Sequence, residues 1–357
     1  MLSPRKAVRT LPSYHPPLAG RAGLRLDFNE NSAGCSPRVL ERLRLLGPED
    51  LARYPERGPV EAVVARFLNV LPSEVLLTNG VDEAIHLLCQ TYLEPGDEAI
   101  IVVPTYSMYR IYMMAAGAKV VSIPAGEDFG FPAEDIRNRI TERTRLIAIA
   151  NPNNPTGTVA TEEELLRIAR EAPNAALLVD EAYFEFYGRS LLAKRNGLQN
   201  LFVARTFSKA YGLAGLRIGV LIGAQDQMRS VARVGSPYNV NAVALACLPE
   251  ALADQEYIQQ YVKEVCEARA RLERTLKAAN IPFWPSHGNF ILARLGSPDF
   301  VGHMRRRGIL VRDRSSDHGC EGCVRITLGP REHSDRLITA LQELLDEIGS
   351  PQGAAQP

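Results

Sequence analysis

Lysine is scarce in this 357-residue chain: six of the 41 basic residues are lysine and the other thirty-five are arginine. A lysine set in an apolar segment therefore asks for a reason. Net charge is lacking as well, with 41 acidic residues against 41 basic ones. No global basic field exists to hold nucleic acid or an anionic membrane, so neither is expected as a partner, and anion binding falls to local sites. No window reaches the roughly 20 apolar residues of a spanning helix. The opening "MLSPRKAVRTLPSYHPPLAG" has no apolar run of signal-peptide length. The expectation is a protein of the cytoplasm with no visible targeting segment. The cysteines, Cys35, Cys89, Cys247, Cys266, Cys320 and Cys323, are scattered as reduced thiols would be. Cys320 and Cys323 form one C-x-x-C with His318 nearby, too few ligands at zinc-finger spacing, so no metal is expected. The preferred reading of that loop is a glycine-rich turn with two small residues.

What is present is an ordinary globular composition, 46% hydrophobic and 23% charged, in a chain long enough for a large domain plus a smaller one. Residues 1 to about 35 are rich in proline and glycine and read as an extended arm. Strands are predicted at 75–78, 99–103, 119–123, 146–150, 176–180, 201–204 and 216–222. Helices are predicted at 81–92, 107–116, 133–139 and 162–171. Such alternation implies an α/β fold with a mostly parallel seven-stranded sheet flanked by helices. Residues 240–279 read as long helix, followed by shorter strands and helices at 290–294, 299–306, 309–312, 324–328 and 333–348. The expected organisation is an arm and part of the small domain over 1–40, a large domain over 41–250, a smaller α/β domain over 251–348 and a disordered tail over 349–357.

Four segments carry chemistry. In "ARTFSKAYGLAGLRIGVLIG" Lys209 sits among small and apolar residues. Burial lowers a lysine's pKa and makes it a nucleophilic amine, as a Schiff-base lysine requires. Alone it would read as an exposed turn lysine. Thr206, Ser208 and Arg217 around it offer two hydroxyls and a guanidinium to one phosphate dianion. In "LLTNGVDEAIHLL" a strand, a glycine turn and a helix start follow one another, and free N–H groups at Val81 and Asp82 make an anion site, though any βα unit has such a turn. In "IAIANPNNPTG" Asn154 lies just past a strand's C-terminal end, the edge where open α/β sheets bind ligands; an Asx-type turn is the plainer alternative. In "ALLVDEAYFEF" Asp180 closes an apolar run with Tyr183 three residues on, and a helix N-cap is the plainer alternative.

Taken in this order, the four segments resemble the fold-type-I aminotransferases, which depend on pyridoxal 5′-phosphate (PLP). The resemblance runs from about Tyr14 to Ile348. It implies that Lys209 is the catalytic lysine that carries PLP, and that Asp180 pairs with the pyridinium nitrogen. Asn154 and Tyr183 would contact the ring's 3′-oxygen, and Tyr106 would stack on the ring. Thr206, Ser208, Arg217, Val81 and Asp82 would hold the phosphate.

Further segments look like the histidinol-phosphate aminotransferase family: "LPSY", "LDFNEN", "ARYPERGP", "SPYNVNAVA", "GNFILAR", "GILVRD" and "GCVRITLG". By that resemblance Arg325 binds the carboxylate of glutamate and the phosphate of histidinol phosphate in turn, with Arg312 and Tyr14 assisting. Tyr54 would reach the cofactor of the partner subunit, which implies a homodimer. The acceptor would be 2-oxoglutarate. "SAGCSP" after "NEN" departs from the family's usual "P-x-G-x-SP" but touches no residue given a catalytic role. Aromatic aminotransferases share every cofactor residue, and threonine-phosphate decarboxylases also pair PLP with a phosphorylated substrate. A PLP-sensing transcriptional regulator would need an N-terminal helix-turn-helix; about thirty residues read as extended precede the fold here, so that function is not expected.

Overall fold

In a computed structural model the structure describes residues 2–9, 11, 20–296 and 299–349. The strands are β1 (Leu24–Arg25), β2 (Val75–Thr78), β3 (Glu98–Val103), β4 (Lys119–Pro124), β5 (Thr144–Ala150), β6 (Ala176–Asp180), β7 (Leu201–Thr206), β8 (Gly219–Ile222), β9 (Phe283–Trp284), β10 (Phe290–Arg294), β11 (Ile309–Leu310), β12 (Arg312–Asp313) and β13 (Cys323–Thr327).

The central sheet has seven strands in the order β2-β8-β7-β6-β5-β3-β4. All neighbours run parallel except β8, which is antiparallel to both β2 and β7. The strands read as unbroken apolar runs because both faces are covered. Along β6, Leu177 and Val179 enter one core while Ala176 and Leu178 enter the other. Helices Gly80–Tyr92, Ser107–Ala116 and Gln225–Ala232 supply Ile85, Leu88, Tyr109, Met113 and Val231 to the second core. Helices Glu162–Glu171 and Ala242–Ala253 supply Leu165, Ile168, Ala244 and Leu248 to the first. The start of Glu162–Glu171 follows from its sequence: Thr161 accepts from the Glu164 amide, and Glu164 accepts from the Thr161 amide in return.

A second, antiparallel sheet has the order β12-β13-β10-β9. It is accompanied by helices Gln255–Ala278, Phe300–Arg306 and Arg331–Gly349. The N-terminal segment is tied to it: β1 pairs in parallel with β11, and Leu26 O accepts from the Thr327 amide. Gly23, at φ +102°, allows this approach, since a Cβ there would lie 2.5 Å from Gly308 O.

Several expectations are corrected. The arm is not extended throughout, because Lys6–Arg9 forms one helical turn. The predicted strand 216–222 starts only at Gly219: Ala214–Leu216 is a 3₁₀ turn and Arg217 is left-handed at φ 52°. The predicted strand 309–312 is two strands in different sheets, β11 and β12, divided at Val311. Helices Pro37–Arg44, Gly58–Leu68 and Gln225–Ala232 had no counterpart in the sequence reading. Tyr14 and the tail from residue 350 lie outside the described residues. Among the described residues no helix is long and apolar enough to cross a membrane.

Candidate active site

The site forms where the C-terminal ends of β2 and β7 meet the N-terminal start of the antiparallel β8. Thr78, Gly219 and Thr206 are direct neighbours across these three strands. A Cβ on Gly219 would lie 2.9 Å from both the Gly80 carbonyl carbon and the Val81 nitrogen, so only glycine lets the start of helix Gly80–Tyr92 close onto the sheet. That helix start presents backbone N–H groups and the positive end of its dipole. Arg217 reaches it from the other side, with Nη2 donating to Asp82 Oδ2 at 3.1 Å. The Tyr106 hydroxyl donates to Asp82 Oδ1 at 2.7 Å. Thr206 and Ser208 are buried in the same place, and the Ser208 amide donates to the Thr206 hydroxyl at 3.1 Å. The Thr78 hydroxyl is buried with no hydrogen-bond partner. Val81, Asp82, Thr206 and Arg217 thus lie around the point where β2, β8 and β7 meet, with Ser208 beside Thr206.

Asp180 ends β6 and is buried. The Tyr109 hydroxyl donates to its Oδ2 at 2.6 Å, and the Ala182 amide donates to Oδ1 at 3.0 Å. Burial pushes the Asp180 carboxyl up to about 6, although the Tyr109 bond pulls it down. Among the described residues no cation lies within ion-pair distance of it. A buried carboxylate without a cationic partner is costly.

Lys209 is half-buried by surface area, but its ammonium end is enclosed. Burial lowers it to about 8, with the nearby Arg325 and Arg217 charges adding to the effect. Its Nζ donates to Phe28 O at 3.0 Å and lies 6.0 Å from the centre of the Tyr183 ring. The Tyr183 hydroxyl accepts from Asn29 Nδ2 at 2.9 Å. Asn154 Oδ1 accepts from Arg325 Nη1 at 2.6 Å, and Arg325 Nη2 donates to Asp27 O at 2.6 Å. Arg325 is buried in β13 and faces Arg312 of β12 directly across the ladder. Arg312 lies 5.3 Å from the centre of the Phe28 ring.

Lys209, Asp180, Asn154, Tyr183, Tyr106 and Arg325 are therefore brought to one region, with Arg312 at its edge. Tyr54 is not part of this cluster: it is 77% exposed and stacks on Tyr238 with ring centres 4.3 Å apart. The sequence reading missed Tyr109 and the backbone role of "LDFNEN". In that segment the Asp27 and Phe28 carbonyls hold Arg325 and Lys209, and the Asn29 side chain joins Tyr183 to Thr327. The signal available for Tyr109 was its place one helical turn after Tyr106.

A model of the aminotransferase class I and II family matches residues 22–341, and the chain belongs to that family. Within it, the chain is 34% identical over 327 residues to the histidinol-phosphate aminotransferase of Thermoanaerobacter sp. (strain X514), covering 90% of this chain and 93% of that protein. It is 37% identical over 286 residues to the histidinol-phosphate aminotransferase of Caldanaerobacter subterraneus subsp. tengcongensis, covering 79% and 81%. Among solved structures it is similar to the histidinol-phosphate aminotransferase from Sinorhizobium meliloti in complex with pyridoxal 5′-phosphate. The TM-score is 0.88 at 25% identity, with 96% of this chain and 98% of that chain covered.

Proposed function

We propose that this chain transfers the amino group of L-histidinol phosphate to 2-oxoglutarate, giving imidazole acetol phosphate and L-glutamate, with PLP as cofactor. The observation that carries the substrate reading is the pair Arg312 and Arg325, directly opposite on β12 and β13. Like charges directly opposite are unfavourable, so the pair asks for an anion between them. Arg325 also touches Asn154, which ties that anion to the Lys209 and Asp180 region.

The residues fit PLP on three counts. Asp180 is a buried carboxylate in want of a cation, the Thr78 hydroxyl is buried without a partner where β2, β8 and β7 meet, and Lys209 is a lysine with a lowered pKa. In this reading Asp180 faces the protonated ring nitrogen. Asn154 still has its NH₂ and Tyr183 its O–H proton to donate to the 3′-oxygen. Tyr106 lies against the ring. Thr206, Ser208, Arg217 and the Val81 and Asp82 amides hold the phosphate. When bound, the cofactor supplies an electron sink for charge developing at the donor's α-carbon. Lys209 Nζ takes the proton from that carbon and returns it, and Arg325 orients first one donor's anion and then the other's.

The test is Arg312→Ala. A carboxylate is satisfied by one fork of N–H donors, whereas a phosphate dianion presents more oxygen and more charge. Hydrogen bonds to charged groups are worth roughly 1.5–3 kcal/mol. The variant should lose about ten- to a hundredfold in kcat/KM with histidinol phosphate and less with glutamate. Arg325→Ala should damage both half-reactions. Equal losses in Arg312→Ala would favour an aromatic aminotransferase, and release of carbon dioxide from threonine phosphate would favour a decarboxylase.

The working form in this reading is a homodimer in the cytoplasm, the latter supported by six unpaired thiols. The exposed ring of Tyr54 is then offered to the second copy's cofactor. Mixing Lys209→Ala subunits with Tyr54→Phe subunits should restore part of the activity, because one site of the mixed dimer regains both groups. A fully active monomer by light scattering would rule the dimer out.

A further inference from the structure

The C-x-x-C of the small sheet has no part in the proposed transamination. Cys320 and Cys323 close a turn, with the Cys323 amide donating to Cys320 O at 2.8 Å. Such a turn holds its end Cα atoms within about 7 Å, which covers the separation a disulfide needs. Both side chains are fully buried and share one small cluster with Phe129 and Leu292. The two thiols thus face the same side and meet each other. The intervening Glu321 and Gly322 are exposed, which places the turn that carries both sulfurs at the protein surface. Among the described residues no group of three or more His, Cys, Asp and Glu is arranged to hold a metal ion, which leaves the pair its redox chemistry.

We infer that Cys320 and Cys323 form a dithiol that a small hydroperoxide oxidises to an intramolecular disulfide. Cys323 is the attacking sulfur. The Cys323 thiol donates to Glu321 O at 3.9 Å; the neighbouring Cys320 thiol and Arg294, its partner across the β10–β13 ladder, together lower it against the effect of burial. The Cys323 neighbour and burial raise Cys320. The Cys323 thiolate attacks the peroxide O–O bond, forming a sulfenic acid and releasing hydroxide, or water once protonated. The Cys320 sulfur then attacks Cys323 Sγ, forming the S–S bond and releasing water. Two electrons pass from the dithiol to the peroxide, and two waters leave when the oxidant is hydrogen peroxide. The bond forms two residues ahead of Arg325 on the same strand and the same face.

Reduced holoenzyme treated with a few equivalents of hydrogen peroxide, denatured, alkylated and mapped by mass spectrometry tests this. The expected result is loss of two hydrogens from the peptide containing both Cys320 and Cys323, reversed by dithiothreitol, with Cys35, Cys89, Cys247 and Cys266 alkylated. In Cys320→Ser, dimedone should trap the sulfenic acid at Cys323, while in Cys323→Ser it should leave Cys320 unlabelled. Full alkylation of both residues after peroxide, or a disulfide from either to another cysteine, would overturn the pairing. Dimedone labelling of Cys320 in Cys323→Ser equal to that of Cys323 in Cys320→Ser would overturn the assignment of the attacking sulfur. The wild-type map decides the pairing even if a variant does not fold.

Discussion

Lys209→Ala should abolish the visible absorbance of the holoenzyme and lower turnover by at least about a thousandfold, since a positioned general base alone is worth about 10²–10⁴. The amine reacts with a carbonyl only as the neutral base. With Lys209 lowered to about 8, roughly a tenth is neutral at pH 7, against a few parts in ten thousand for an ordinary lysine. The rate at which apoprotein captures cofactor should therefore rise with pH and level off above about 8. Borohydride should fix the cofactor on the peptide containing Lys209. An adduct on Lys119 or Lys194, or a Lys209→Ala variant with a tenth of normal turnover, would remove Lys209 from this role.

Lys209 was legible because its segment is local: hydroxyls, glycines and one arginine surround it within the same stretch of chain. Asp180 was legible for a related reason, a carboxylate at the end of an apolar run. Helix Glu162–Glu171 was legible to the residue because its capping box is written in Thr161 and Glu164. What was not legible depends on distant partners. Phe28 O and Asp27 O accept from Lys209 and Arg325 across 181 and 298 residues, and a carbonyl looks the same in every residue type. Beyond its place one helical turn after Tyr106, Tyr109 carries no local signal of a site, because its hydroxyl gains a role only through its bond to Asp180 at the end of β6, 71 residues away. The reversed direction of β8 was hidden because a strand buried on both faces has the same composition either way. The division of 309–312 into β11 and β12 depends on β1, a two-residue strand too short to carry a pattern.

Asp180→Asn should keep the shape of the site and remove its charge. The carboxylate lies at the floor with Tyr109 and Ala182 as donors and no cation near it among the described residues. Its carboxyl is held up at about 6 by burial, so near neutral pH it is a charge waiting for a counter-charge. In the proposed reading a protonated ring nitrogen would be that counter-charge, and the pairing would keep the ring able to accept electrons. Breaking a buried ion pair typically costs about 3–5 kcal/mol, so turnover should fall by roughly two to four orders of magnitude if the loss falls on the transition state. Cofactor binding should fall less, because the phosphate contacts proposed for Thr206, Ser208 and Arg217 would be untouched. The pairing also fixes a sign in pH. In the apoprotein Asp180 titrates near 6, above the ordinary 3.8, so the native fold holds its proton more tightly than the unfolded chain does. The stability this contributes is present below about 3.8 and is lost as pH rises through about 6. A cofactor that supplies the cation should reverse that trend, so the difference in melting temperature between holoprotein and apoprotein should widen from pH 5 to pH 7. An N-methylated cofactor, whose ring charge is permanent, should restore part of the turnover of Asp180→Asn. A variant with near-normal turnover, or a melting difference flat across that range, would show that another group keeps the ring nitrogen charged.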